Sequence, residues 1–233
     1  MAFPRIGQGL VWTIGKIEDV MPISRRSLLA FTPAAVMAAT ARASFAAASA
    51  AAPSGPEFAP RTLGKPGAKV KVIEYFSLTC PHCADFSMHT FPEVKKKLID
   101  TGIVFYVFRD FPLDKIALEA AEVARALPAS EYEPFVSALF ASQDRWAFAP
   151  GVNYTEELWK LAALAGLGRA AFDAALKDKA LGQFILAEQR KAMTKYKVDA
   201  TPSFILVGPM GPHKVAGEMS FAAFDRLVNQ AMA

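Results

Sequence analysis

Two thiols held two residues apart can do redox chemistry that neither can do alone. The chain has two cysteines in all, and both lie in Cys80-Pro81-His82-Cys83. At the start of a helix, a pair with this spacing can close a disulfide within a single turn. No third cysteine exists to pair with either one. A staple between distant elements is therefore excluded, and a redox pair is the leading reading. A thiol-based metal site is the alternative, because thiolates are soft ligands that select Cu(I) or Zn. Cys80, Cys83, His82 and His89 would be its donors. Structural zinc takes four ligands at suitable spacing, however, and His82 points away from its cysteine neighbours on a helix. His89 reads as a surface or partly packed helix residue.

The neighbouring residues say how the pair is held. Lys71-Val72-Ile73-Glu74-Tyr75-Phe76 is β-branched and aromatic and reads as a buried strand over 70–76. Pro81 suits the first helical position, where its missing N–H costs nothing. Phe86, Phe91, Val94 and Leu98 continue an apolar face, so a helix is expected over 81–99, kinked at Pro92. Cys80 then lies at a strand-to-helix junction, on the positive end of the helix dipole. Free N–H groups there stabilise a thiolate and lower its pKa. His82, if protonated, would add a second favourable charge. A stabilised thiolate favours the reduced form and makes the disulfide oxidising. Cys83, one turn further in, should be more buried and less reactive. Glu74, mid-strand and six residues before Cys80, has an outward-facing position as its simplest reading.

With these residues in view, Thr79-Cys80-Pro81-His82-Cys83 following Ile73-Glu74-Tyr75-Phe76-Ser77 resembles the active-site region of DsbA-type thiol–disulfide oxidoreductases of the thioredoxin superfamily. The family's dipeptide between the cysteines is Pro-His, as here. Downstream, Val198-Asp199-Ala200-Thr201-Pro202-Ser203-Phe204-Ile205 resembles the loop that carries the family's cis-proline, followed by its next strand. The two motifs and the helical stretch between them cover most of residues 58–233. The local sequence favours a trans bond before Pro202, since only about 5% of X-Pro bonds are cis. The resemblance implies cis, with the Thr201 backbone exposed to pair with an extended substrate. Many family members carry valine before this proline; threonine, as here, also occurs in disulfide isomerases of the superfamily. The resemblance also implies an acidic residue, here Glu74, placed to assist proton transfer to and from the buried cysteine.

The implied fold class is α/β, a thioredoxin fold with an inserted α-helical domain. Its first part spans 58–112, with strands at 58–62, 70–76 and 103–108. The insertion spans 113–197. There Ile116, Ala120, Val123 and Leu127 line one helix ended by Pro128, and 132–142 reads as the next. Leu158, Leu161, Ala162 and Ala165 line a third, and 170–177 and 181–196 complete the set. The second part spans 198–233, with strands at 204–207 and 214–216 and a helix at 221–231. Trp146, Phe148 and Trp159 read as packing within the insertion. Arg109-Asp110-Phe111-Pro112 ends a strand, and Asp110 is expected to cap or pair at the domain junction.

Charge and composition bound the rest. Formal net charge is +4 over 233 residues, but residues 1–46 hold five basic and two acidic side chains. The remainder carries 21 basic against 20 acidic residues, so the basic balance does not point to nucleic acid. Ser24-Arg25-Arg26-Ser27-Leu28-Leu29, an alanine-rich apolar run and the small-x-small sites at Ala41-Arg42-Ala43 and Ser44-Phe45-Ala46 read as an export signal over 1–46. Met21 is a possible true start, and either the Sec or the twin-arginine route would serve. Residues 47–57 read as a linker. The expectation is a periplasmic, monomeric oxidase, without the dimerisation domain of disulfide isomerases and without a cofactor. Its substrates would be unfolded or partly folded exported proteins with thiols. The resemblance implies a quinone-linked DsbB-type membrane partner that reoxidises it. An isomerase or reductase of the same fold is the close alternative.

Overall fold

The computed structural model describes residues 53–233, and the export-signal reading and most of the linker lie outside them. Five strands form one mixed sheet: β1 (Arg61–Leu63), β2 (Val70–Phe76), β3 (Val104–Asp110), β4 (Ser203–Gly208) and β5 (Gly211–Ala216). Their order is β1-β3-β2-β4-β5. Only the β2–β3 pair is parallel, with Val70 opposite Val104 and Phe76 opposite Asp110. The connection between those two strands is helical: α1 (Pro81–Asp85), a π-helical turn Phe86–Thr90, α2 (Phe91–Val94) and a second π-helical turn Lys95–Ile99. A parallel pair requires such a crossover. Between β3 and β4 come α3 (Lys115–Ala126), α4 (Ala129–Ala141), α5 (Gln143–Trp146), α6 (Tyr154–Leu164), α7 (Arg169–Ala175) and α8 (Lys179–Tyr196). Helix α9 (Phe221–Met232) follows β5. This is a thioredoxin fold carrying a helical insertion.

Alternation along β2 decides what each face buries. Ile73 and Tyr75 join Val107, Phe111, Val198 and Ile205 in a smaller cluster on one face. Val72 and Phe76 face the main core with Phe86, Phe91, Tyr106, Phe108, Phe204 and Phe224. Rings there meet edge-on or tilted, as Phe91 does with Tyr106 and Phe204 with Phe224, the geometry that aromatic quadrupoles prefer. Glu74 shares the Val72–Phe76 parity. It lies inside, 4% exposed, and the outward-facing reading is corrected.

Other boundaries moved for identifiable reasons. The strand expected at 58–62 is a 3-10 turn over Pro56–Phe58 followed by β1; Pro60 has no N–H for the ladder, so pairing starts after it. Strand β3 runs on to Asp110 because that polar end is paired rather than solvated. Asp110 accepts from Arg125 Nε of α3 and from Tyr132 Oη of α4, so it ties the sheet to the insertion. At Pro92 the helix continues, with a π-helical turn directly upstream of α2. Wider turns of this kind absorb a missing backbone donor. Helix α5 was not anticipated. Its Trp146 is buried with Nε1 donating to Leu139 O at 2.8 Å, while Phe148 is exposed and Trp159 packs edge-on against Phe172.

Candidate active site

Strand β2 ends at Phe76, and a turn closed by Cys80 N–H donating to Ser77 O at 3.0 Å delivers Cys80 to the N-cap of α1. Cys80 is extended there, at φ −89° and ψ 118°, and Pro81 opens the helix. The Cys80 carbonyl accepts from Cys83 N and Ala84 N. Both cysteines carry free thiols. Cys83 is fully buried and Cys80 nearly so.

The turn is held from the insertion by two side chains. Thr79 Oγ1 donates to Asp114 Oδ2, and Asp114 in turn caps α3 by accepting from Ala117 N at 2.8 Å. Gln143 Nε2 donates to Leu78 O at 2.8 Å and to Cys80 O at 3.2 Å. From the other side comes the loop before β4. The Thr201–Pro202 bond is cis, and Gly217 N–H donates to Pro202 O at 2.8 Å. The Cys80 thiol donates to Thr201 O at 3.3 Å. The Thr201 hydroxyl is buried near the sulfur and has no hydrogen-bond partner.

The two thiols are driven apart electrostatically. Cys80 falls from an ordinary 9.0 to about 5. The Cys83 thiol donating to its sulfur is the largest cause; burial opposes it, and the Thr201 hydroxyl and the backbone N–H groups of Cys83 and His82 add to it. Cys83 is pushed well above the ordinary value, first by burial, then by the neighbouring Cys80 thiolate and by Glu74. Glu74 rises from 4.5 to about 7 because burial disfavours its charge; a hydrogen bond donated by Tyr106 Oη at 2.9 Å opposes the rise only in part. A carboxyl titrating near neutrality beside a buried thiol suits proton transfer. One stabilised thiolate and one thiol kept protonated form a nucleophile and leaving-group pair of opposite character.

His82 reaches the sulfur by its backbone. Its imidazole is exposed, with Nδ1 paired to Glu218 of the β5–α9 loop. Asp85 joins these two, and one ligand atom from each lies within 4.8 Å of the others. The structure thus groups His82 with Asp85 and Glu218 at the surface, not with Cys80, Cys83 and His89 as a metal site required. Beside them opens a groove of about 580 Å³, lined by Asp85, Phe86, His89, Glu93, Met219 and Phe221 among others. Sequence reasoning missed Asp114, Gln143 and Tyr106. An aspartate directly before a helical run is an N-cap signal and could have flagged Asp114. Nothing local marks the other two, because each reaches the site through tertiary structure.

A dithiol at a helix start, facing a cis-proline loop across a mixed sheet, places the molecule among thioredoxin-fold proteins built for thiol–disulfide chemistry. Comparison with known proteins agrees. Residues 58–230 match the thioredoxin family. A Rickettsia felis protein assigned as a protein-disulfide oxidoreductase is 35% identical over 171 residues, covering 73% of this chain and 59% of that protein. The thiol:disulfide interchange protein DsbA of Salmonella typhimurium is 29% identical over 154 residues, 63% of this chain and 70% of that one. The crystal structure of Wolbachia pipientis α-DsbA1 superposes with a TM-score of 0.68 at 32% identity, covering 74% of this chain and 90% of that chain. The chain belongs to the thioredoxin family, in its DsbA-type branch of disulfide oxidoreductases. It spans a little over half the length of the Rickettsia felis relative.

Proposed function

We propose that the protein oxidises pairs of thiols in unfolded exported proteins. In its disulfide form, a substrate thiolate attacks the Cys80 sulfur. The Cys80–Cys83 bond breaks, and Cys83 leaves and takes a proton, with Glu74 as the nearby donor. The substrate is now joined to Cys80 by a mixed disulfide, and its chain can lie along the Thr201 backbone. A second substrate thiolate attacks the substrate sulfur of that bond. Cys80 departs as the thiolate, the substrate keeps the new disulfide, and its two electrons remain on the enzyme as the dithiol. A quinone-linked DsbB-type membrane protein would take them up. The observation that carries this reading is the Cys80 thiol at the N-cap of α1, against Thr201 of the cis-proline loop, where its pKa is lowered to about 5. A good leaving group on the enzyme drives the disulfide toward the substrate.

The test is direct. Oxidised enzyme is mixed with a reduced, unfolded protein that needs disulfides, and their formation is followed by trapping free thiols. Cys80→Ser should abolish the reaction; a variant that keeps the wild-type rate would overturn the assignment of Cys80 as the attacked sulfur. The relatives' names favour exchange chemistry over a metal module. A periplasmic site of action is part of the same proposal, supported by the Arg25-Arg26 signal pattern and by the resemblance to DsbA. N-terminal sequencing of the protein recovered from the periplasm should begin near Ala43 or Ala46, and a chain beginning at Met1 or Met21 would contradict export with cleavage.

A further inference from the structure

We propose that Gln143, on the short helix α5 of the insertion, is a positioning residue that sets the reactivity of Cys80 by holding the turn that presents it. The proposal rests on the disulfide-exchange reading and deepens it. An amide nitrogen carries two protons, and those of Gln143 go to two carbonyls of one turn, Leu78 O at 2.8 Å and Cys80 O at 3.2 Å. Leu78 is buried, so its carbonyl has no access to bulk water. It lies past the end of β2, and the turn itself is closed by a different pair, Cys80 N and Ser77 O. Without Gln143 this oxygen would be a buried acceptor with no donor, an unfavourable state that pushes the backbone to move until one is found.

Movement of this turn would reach the sulfur directly. The Cys80 carbonyl is where α1 begins, since Cys83 N and Ala84 N both donate to it. The backbone N–H groups of His82 and Cys83 that stabilise the thiolate belong to the same turn of helix. Gln143 therefore fixes the angle between Cys80 and the donors on which its thiolate depends. The arm that carries it is rigid. Ser142 Oγ donates to Ala138 O at 2.7 Å and Trp146 Nε1 to Leu139 O at 2.8 Å, which locks the corner between α4 and α5. Gln143 itself is buried, and turning its amide over would set oxygen against two carbonyl oxygens. Of the two insertion side chains that hold this turn, Gln143 is the one that bonds Cys80 itself.

The experiment titrates the Cys80 thiolate by its absorbance against pH and equilibrates the dithiol with glutathione, for wild type, Gln143→Met and Trp146→Phe. Methionine keeps the length and loses both donors. Trp146→Phe removes a buried donor three residues away and serves as the control for general loosening of the same corner. Gln143→Met should raise the Cys80 midpoint by about half a pH unit and shift the glutathione equilibrium about threefold toward the disulfide. Trp146→Phe, which loosens the arm but keeps both Gln143 donors, should lower stability to denaturant and shift both readouts by well under half as much as Gln143→Met. Gln143→His, which restores one donor, should fall between wild type and Gln143→Met, and it replaces the methionine variant if that does not fold. A Gln143→Met titration identical to wild type, or an equal shift in Trp146→Phe, overturns the proposal. An ordinary midpoint near 9 in wild type would instead defeat the disulfide-exchange reading, and this proposal with it.

Discussion

A carboxyl group at Glu74 is buried with a single neutral donor, Tyr106, and no cation against it. Its folded pKa of about 7 lies above the unfolded 4.5. The protonated form is therefore the one the fold favours. This group's contribution to stability is fully present below the unfolded value and is lost as pH rises from 4.5 through about 7. Glu74→Gln should consequently raise stability at pH 8 by about 2–3 kcal/mol and change it little at pH 4, as measured by chemical denaturation of the reduced enzyme. The same variant should slow mixed-disulfide formation at neutral pH if Glu74 supplies the proton to Cys83. The sign runs the other way for Cys80. Its folded value is depressed, so the stability it lends the dithiol form is full above 9 and is lost as pH falls toward about 5. At this scale the sequence was most legible where a residue's chemistry is intrinsic to its local motif, as for Cys80, Pro81 and Cys83. It was silent where a residue acts across the fold. Gln143 lies 63 residues from the carbonyl it holds, and Tyr106 meets Glu74 only because two strands pair in register. The face on which Glu74 lies followed from the parity of β2, a period of two that the continuous apolar run concealed.

Among the elements, the junction of sheet and insertion carries the most concentrated electrostatics. Asp110 ends β3 and receives both Arg125 Nε and Tyr132 Oη, and all three side chains are buried. Arg125 also donates to Glu57 O and Ala59 O, and Arg61 donates to Arg125 O, so residues 57–61 are pinned to the same point. The buried Arg125 guanidinium thus pairs with one carboxylate, and the buried Arg61 reaches the same point through the Arg125 carbonyl. Removing one partner of such a pair leaves an uncompensated charge and costs about 3–5 kcal/mol. Asp110→Ala should lose stability on that scale in denaturant unfolding, while a loss below about 1 kcal/mol would show that the junction does not depend on the pair. The sequence located most elements because their signals are local: apolar residues recur at helical spacing along α3 and α6, and Pro128 closes the α3–α4 turn. It misplaced β1, where a proline sets the start of pairing, and passed over α5, which is one turn long and has no periodic face. The π-helical turns around Pro92 were equally invisible, since they arise from how the chain packs around the missing donor.

At the scale of the whole molecule, the thioredoxin core supplies the strand, helix terminus and cis-proline loop, and the insertion reaches back to hold the redox turn through Asp114 and Gln143. No helix among the described residues is long and apolar enough to cross a membrane. That architecture suits a dithiol whose Cys80 thiolate is stabilised by the Cys83 thiol, Thr201 and the backbone N–H groups at the start of α1. The most direct test of this account is the equilibrium of the Cys80–Cys83 disulfide with glutathione at pH 7, read by the fraction of free thiol. The account expects a strongly oxidising pair, with a potential above about −200 mV, well clear of the roughly −270 mV of thioredoxin. A potential near thioredoxin's, with the disulfide persisting in excess reduced glutathione, would contradict it.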